Sequence, residues 1–411
     1  MSPRRIRTRG QPAAVAAAEA MLASHVPHAL LLVGPGGVGK TTLALDLAAA
    51  LLCLAPDPAE RPCGVCRACR AVDHGNHPDV HRLAPSGPGG VIPIGGRDER
   101  GVRDLIGELS LMPVEGGARV AIIEATHRMT EDAQTAFLKT LEEPPAGAVL
   151  ILCADDEERL LPTIRSRCVR LRLGPVPRRD VEAILVERGI ADGGQAARYA
   201  RVASGRPGVA LAYAAAPEAG ITRAEIARTI LDLGAASRAE RLAGVRDLAA
   251  RAGELVKALD AGAGRISAAD GVIQPPAVAR PGRRGARAVA DISSATPTGV
   301  SLDASEQQAE PAEPTEPRSA VRVPASERRA GALALVAVWR DLLRDLAAVE
   351  TGEARLVRDV ELLDDLERAA GRIDPRQVGA ALRRLDVAGE RLEGNVSPEL
   401  VLDVLALQHR G

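Results

Sequence analysis

The stretch GPGGVGKT, Gly34 to Thr41, has residue types and a spacing that suit phosphate chemistry. It fits GxxxxGK[ST], with an apolar run before it and a helical stretch after it, which is the context in which the motif forms a site. Gly34, Gly36, Gly37 and Gly39 let backbone N–H groups curl around phosphate oxygens, and Lys40 reaches the outer phosphates. Thr41, with Thr42 beside it, is placed to ligate magnesium. The expected ligand is ATP or ADP with Mg2+. The alternative, a bare glycine turn between strand and helix, leaves the lysine and threonines unexplained.

Cleaving a nucleotide in such a site takes a carboxylate for the metal and usually a second one to orient the attacking water. The later stretch VAIIEATHR, Val120 to Arg128, reads as a buried strand ending in acids, but it offers only Glu124, followed by Ala125. Losing a water-orienting base lowers a rate by about 10²- to 10⁴-fold. The expectation is a domain that holds nucleotide and turns it over poorly. The other possibility is that the acid lies at Asp155 or Asp156, after the next apolar run.

A third group is sulfur-based. Cys53 ends the helical stretch after the phosphate motif, and CGVCRAC presents Cys63, Cys66 and Cys69 ten residues further on. Four thiolates in one short excursion match tetrahedral Zn2+ and leave no position for a bound water, so the expected role is to staple a loop. His74, His77 and His81 follow closely enough to replace one sulfur. Cys153 sits in an apolar run, where a small core residue is the default.

The 411-residue chain has a net charge of −1, so any contact with nucleic acid or anionic membrane must be local. Its basic side chains are nearly all arginine, with lysine only at positions 40, 139 and 257. One Trp, two Tyr and one Phe give little material for stacking on unpaired bases. No apolar run approaches the roughly 18 residues of a spanning helix, and MSPRRIRTRG is not followed by a signal-type core. The expectation is a cytoplasmic, nucleoid-associated protein with no membrane partner.

Positioning these residues takes two kinds of architecture. From Leu30 to about Leu173, short apolar runs alternate with amphipathic stretches, which implies a parallel sheet with helices on both faces. Beyond RLRLGPVP the spacing is helical. The predicted fold is α/β followed by all-α. Residues 1–175 form a P-loop domain with a zinc module at 53–69, residues 176–220 a small helical lid, and residues 221–411 a helical domain. The last is interrupted at about 262–327 by Ala, Pro, Gly, Arg, Ser and Glu, a composition that reads as disordered. Thr130 is predicted to cap one helix, and Ser397 another with Pro398 in its first position.

GPGGVGKTT, the cysteine excursion, FLKTLEEPP and TIRSRC, in this order, resemble the AAA+ subunits of the bacterial DNA polymerase III clamp loader. The resemblance is strong over about residues 8–215 and reaches the C-terminal helices only by pattern, where it implies a collar that joins subunits into a ring. It implies that Arg167, in SRC, is a trans-acting finger offered to the nucleotide of a neighbour. It also implies partners: the gamma/tau motor and delta in a hetero-oligomeric ring, the sliding clamp, and primer-template DNA through the assembly. Activity in the chain itself stays open, although the holoenzyme is a nucleotidyltransferase, a DNA-directed DNA polymerase.

Two subunit types compete within that family, the ATP-hydrolysing gamma/tau motor and delta-prime. Three departures from the motor pattern favour a delta-prime-like subunit: Ala125 for the second acid, Ala154 or Asp155 where the motor has a phosphate-sensing threonine, and Gly208 for the lid arginine, with Arg206 two residues early. The intact phosphate motif departs from many delta-prime chains. Lys139 suits a DNA or partner contact and equally a solvated helix surface.

Overall fold

A computed structural model of the chain describes residues 6–86, 90–96, 99–115, 117–234, 236–269, 323–371, 375–394 and 396–408. The first part runs α1 (Pro12–Ala23), β1 (Ala29–Val33), α2 (Lys40–Leu52), α3 (Arg67–Asp73), β2 (Val80–Leu83) and α4 (Val102–Leu109). It continues through β3 (Arg119–Ile123), α5 (Glu131–Glu142), β4 (Ala148–Ala154), α6 (Pro162–Arg165) and β5 (Val169–Arg172). The helices that follow are α7 (Arg178–Glu187), α8 (Gly193–Ala203), α9 (Pro207–Ala215), α10 (Pro217–Leu233) and α11 (Arg238–Ala269). After the undescribed stretch come α12 (Ala325–Glu350), α13 (Leu363–Ala370), α14 (Pro375–Glu393) and α15 (Pro398–Gln408).

The strands pair in parallel in the order β2-β3-β4-β1-β5. Strands β1, β3 and β4 are buried along their whole length, which is why, apart from Arg119 at the start of β3, their sequences read as unbroken apolar runs. Alternate residues feed two cores. Leu30, Leu32, Val120, Ile122 and Ile151 pack under α1 and α2, whereas Leu31, Val33, Ile123, Leu150 and Leu152 pack under α4 and α5. The α/β expectation is met by this sheet.

Helix α5 shows how local signals and packing agree. The Thr130 hydroxyl accepts from the Ala133 N–H at 3.2 Å, acids occupy the first turn, and Pro144 and Pro145 follow the end. Ala133, Phe137 and Leu141, four residues apart, form its buried stripe. Phe137 is fully enclosed, so Phe137→Ala leaves a cavity beneath the sheet and should lower stability by about 3–5 kcal/mol in denaturant unfolding. A loss below about 1 kcal/mol would mean that the site refills by collapse.

Helices α7 to α15 enclose one continuous core, running from Val181 and Leu185 through Trp339 to Leu402 and Leu405. The segments expected as lid and collar share this core. Within it Arg223 donates to Asp341 at 3.1 Å and to Asp359 at 3.4 Å, a buried charge held by two acids. The segment expected to be disordered overlaps helix at both ends, since α11 reaches Ala269 and α12 starts at Ala325. Its residues 270–322 lie outside the described residues. No described helix is long and apolar enough to cross a membrane.

Candidate nucleotide site and cysteine centre

The phosphate loop leaves the centre of the sheet. Gly34 follows β1 and donates its N–H to the Ala154 carbonyl at the end of β4, at 3.2 Å. Its φ of 156° and its seat against β5 require glycine, since a Cβ there would lie 2.0 Å from the Leu173 carbonyl oxygen. Gly39, at φ 106°, takes the left-handed turn that launches α2 with its N-terminal N–H groups facing the loop. The loop borders a cavity of about 840 Å³, a size that suits a nucleotide. Gly36, Gly37, Gly39, Lys40, Thr41, Thr42 and Glu124 all line it, and Ala125 lies beside them. Gly34 stands behind the wall and offers its carbonyl to the Lys40 ammonium at 2.6 Å.

Two acids at this cavity are already engaged. Oε1 of Glu124 accepts from Nε and Nη2 of Arg82, at 3.1 and 2.5 Å. Arg82 projects from β2, and sequence reading missed it; the available signal was an arginine in an edge strand that pairs with β3. Asp155, one residue beyond β4, pairs with Lys40 at 2.8 Å. A magnesium ion held with nucleotide would meet Thr41 and Glu124, so the donors it needs face the cavity.

The helical segment closes the far wall through Arg188, Pro207, Gly208 and Leu211. Gly208 donates its backbone N–H to the Gly37 carbonyl at 2.9 Å. Arg206 is turned away from the cavity. Its Nε donates to the Ala203 carbonyl at 3.0 Å, and burial lowers the pKa of its guanidinium against the pull of Asp341 and Tyr213. Arg188, which lines the cavity, carries no sequence signal beyond its place at the end of a helix.

Arg167 does not line this cavity. It follows α6 on the surface, where it donates to Glu142 Oε1 at 2.6 Å and to the Thr163 carbonyl at 3.0 Å. Lys139 lies on the exposed face of α5.

The four cysteines converge. The Sγ atoms of Cys53, Cys63, Cys66 and Cys69 all lie within 4.8 Å of one another. Cys53 and Cys66 are 3.9 Å apart, and Cys63 and Cys69 are 4.0 Å apart. Four sulfurs at about 2.3 Å from one tetrahedral zinc stand roughly 3.8 Å from each other, so the spacing fits that ion. Backbone N–H groups of Ala55 and Cys63 point at Cys53 Sγ, that of Cys66 at Cys63 Sγ, and that of Cys69 at Cys66 Sγ. Burial works against the Cys66 thiolate, but hydrogen bonds from the Cys69 and Leu54 N–H groups, with those of the Cys69 and Cys63 side chains, bring its pKa down to about 6. The donor set is compatible with zinc.

The three histidines are occupied elsewhere. His74 bonds the Arg70 carbonyl, His77 accepts from the Asp79 N–H and faces Glu115, and His81 pairs with Glu108. Cys153 is buried in β4, where burial pushes its thiol up.

A family described as "DNA polymerase III, delta subunit" matches residues 10–177. The DNA polymerase III subunit delta' of Pseudomonas aeruginosa is 43% identical over 143 residues, 35% of this chain and 42% of that protein. The gamma/tau subunit of Mycobacterium bovis is 35% identical over 173 residues, 40% of this chain and 28% of that protein. The match thus spans less than half the length of either relative. A solved Thermotoga maritima structure, titled a DNA polymerase III, gamma subunit-related protein, aligns at 17% identity with a TM-score of 0.33, covering 92% of this chain and 99% of its own.

Proposed function

We infer a role from the likeness of residues 10–177 to the clamp-loader subunits of bacterial DNA polymerase III, delta-prime before gamma/tau. From that premise we propose that it is a delta-prime-like subunit of the clamp loader. It binds nucleotide, hydrolyses it poorly, and lends Arg167 to an adjacent motor subunit while the sliding clamp is loaded onto primer-template DNA.

The observation that carries this reading is a division of labour. Ala125 stands in the cavity where a water-orienting acid is needed, and Arg167 lies outside the cavity on the surface. Without that base, hydrolysis falls by about 10²- to 10⁴-fold. Arg82 adds to the deficit, since its two bonds to Glu124 compete with a metal for the remaining acid. Phosphate-loop binding survives these losses because it rests on backbone N–H groups and Lys40. Bound nucleotide then acts as a plug that stabilises the domain by mass action. The C-terminal helices serve as the collar that joins the subunits, and the cysteine centre, with zinc, staples the loop after α2.

The complete phosphate motif favours a second reading, an ATP-hydrolysing gamma/tau-type motor of the same assembly. Turnover by the purified chain at saturating ATP and Mg2+ separates the two. The delta-prime-like subunit should show no burst and nearly no steady-state hydrolysis. Several turnovers per minute would reject it in favour of the motor.

A further inference from the structure

Asp155 is an acid at the phosphate loop to which the proposed function gives no task. Its Oδ1 lies 2.8 Å from the Lys40 ammonium. That ammonium also donates to the Gly34 carbonyl at 2.6 Å and to the Pro35 carbonyl at 2.8 Å, which uses all three of its donors. Oδ2 lies 3.0 Å from where a Cβ on Gly36 would be, so the carboxylate hangs over the phosphate loop itself. The position is fixed from both sides. Register pairs Ala154 with Val33 at the centre of the sheet, and the Asp155 backbone N–H donates to His127 Nδ1 at 3.1 Å.

In a loop of this type the lysine ammonium reaches both the β- and the γ-phosphate. We propose that the pocket selects nucleoside diphosphates over triphosphates, with Asp155 holding the place of the terminal phosphate on Lys40. The inference rests on the reading that this cavity binds nucleotide. A triphosphate must displace Asp155 from Lys40 and then sit close to a carboxylate that has lost its partner. A diphosphate needs only one Lys40 donor for its β-phosphate, which a loop carbonyl can release, and it places no phosphate beside Asp155, so the ion pair is kept.

Two unscreened unit charges about 4 Å apart, at the effective dielectric of a protein surface, amount to roughly a thousandfold in affinity. The Asp155 side chain is 45% exposed, so water and salt weaken the repulsion. The expected preference is about ten- to a hundredfold.

Equilibrium binding of ADP and of a non-hydrolysable ATP analogue to the full chain, with Mg2+ and again with EDTA, tests this. The wild-type chain should bind ADP about ten- to a hundredfold more tightly than the triphosphate. Asp155→Asn, which keeps the shape and removes the charge, should bring that ratio to within about threefold of one. Asp156→Asn, which removes the same charge one residue away on the exposed surface, should leave the ratio unchanged. Equal wild-type affinities would overturn the selection and leave the nucleotide site standing. A fall in triphosphate affinity on Asp155→Asn in magnesium would also overturn it, by making Asp155 a metal ligand. Binding of neither nucleotide would overturn the selection and the nucleotide reading together.

Discussion

In a reconstituted clamp loader, the ATPase activity gained on adding this chain is expected to vanish with Arg167→Ala. A finger supplied in trans contributes about 10³- to 10⁵-fold to phosphoryl transfer, because a planar guanidinium meets the charge that develops on the transferred group. The effect belongs to the neighbour. Arg167 does not line this chain's own cavity, so nucleotide affinity measured on the isolated variant should match the wild type. Its present partners do not bind it tightly. The Glu142 carboxylate is half-exposed, and an exposed pair of this kind contributes about 0.2–1 kcal/mol. On the proposed reading it holds the guanidinium in place until the neighbour's phosphate outcompetes it. Arg167→Lys should fail almost as completely, since a lysine keeps the charge and loses the planar fork. A partner rate that ignores both substitutions would remove the finger from the account.

The second large effect concerns the cysteine centre. Elemental analysis of the purified chain should find close to one zinc per molecule, and a strong chelator should remove it with loss of order between Cys53 and Cys69. Structural zinc in small peptides contributes roughly 10–16 kcal/mol to folding. Less is at stake here, because Leu30, Leu32, Leu43, Leu47 and Ile122 of α2 and the sheet fill most of the core to which the loop adds Cys53, Ala55, Cys69 and Val72. We expect Cys63→Ser and Cys66→Ser each to lower the melting temperature by about 10 °C, equivalent to roughly 3–5 kcal/mol. These two are the informative positions. Cys53 and Cys69 are buried in the core beneath α2, so replacing them also removes apolar packing. Metal-free protein with wild-type melting in both serine variants would reduce the cluster to four free thiols.

Short-range chemistry was legible in the residues alone. Gly34 to Thr41 announced the phosphate loop, because turn glycines, a lysine and a hydroxyl are needed at fixed offsets. Apolar runs, broken only by Arg119 at the start of β3, announced the buried strands β1, β3 and β4, since a parallel strand covered on both faces has no polar side. Thr130, the acids after it and the double proline bounded α5 for equally local reasons. The four cysteines gave a ligand set by spacing, though not the decision against His77 and His81, which depends on what else stands near each ring.

Partnerships across long stretches of chain were decided by the tertiary structure. Lys40 and Asp155 meet only because β4 lies beside β1, and Arg82 reaches Glu124 only because β2 lies beside β3. Hydrophobic period marks a strand and does not record its neighbour in the sheet, so neither pair was visible in advance. The same limit hid the fate of Arg206, whose guanidinium is drawn into a helical core assembled from segments more than a hundred residues apart. Sequence by itself determined the phosphate-loop motif between strand and helix and the gathering of four thiols, because local geometry suffices for both. Which charges face one another in the pocket was settled by the strand order, because interactions between distant segments exist only once the sheet has formed.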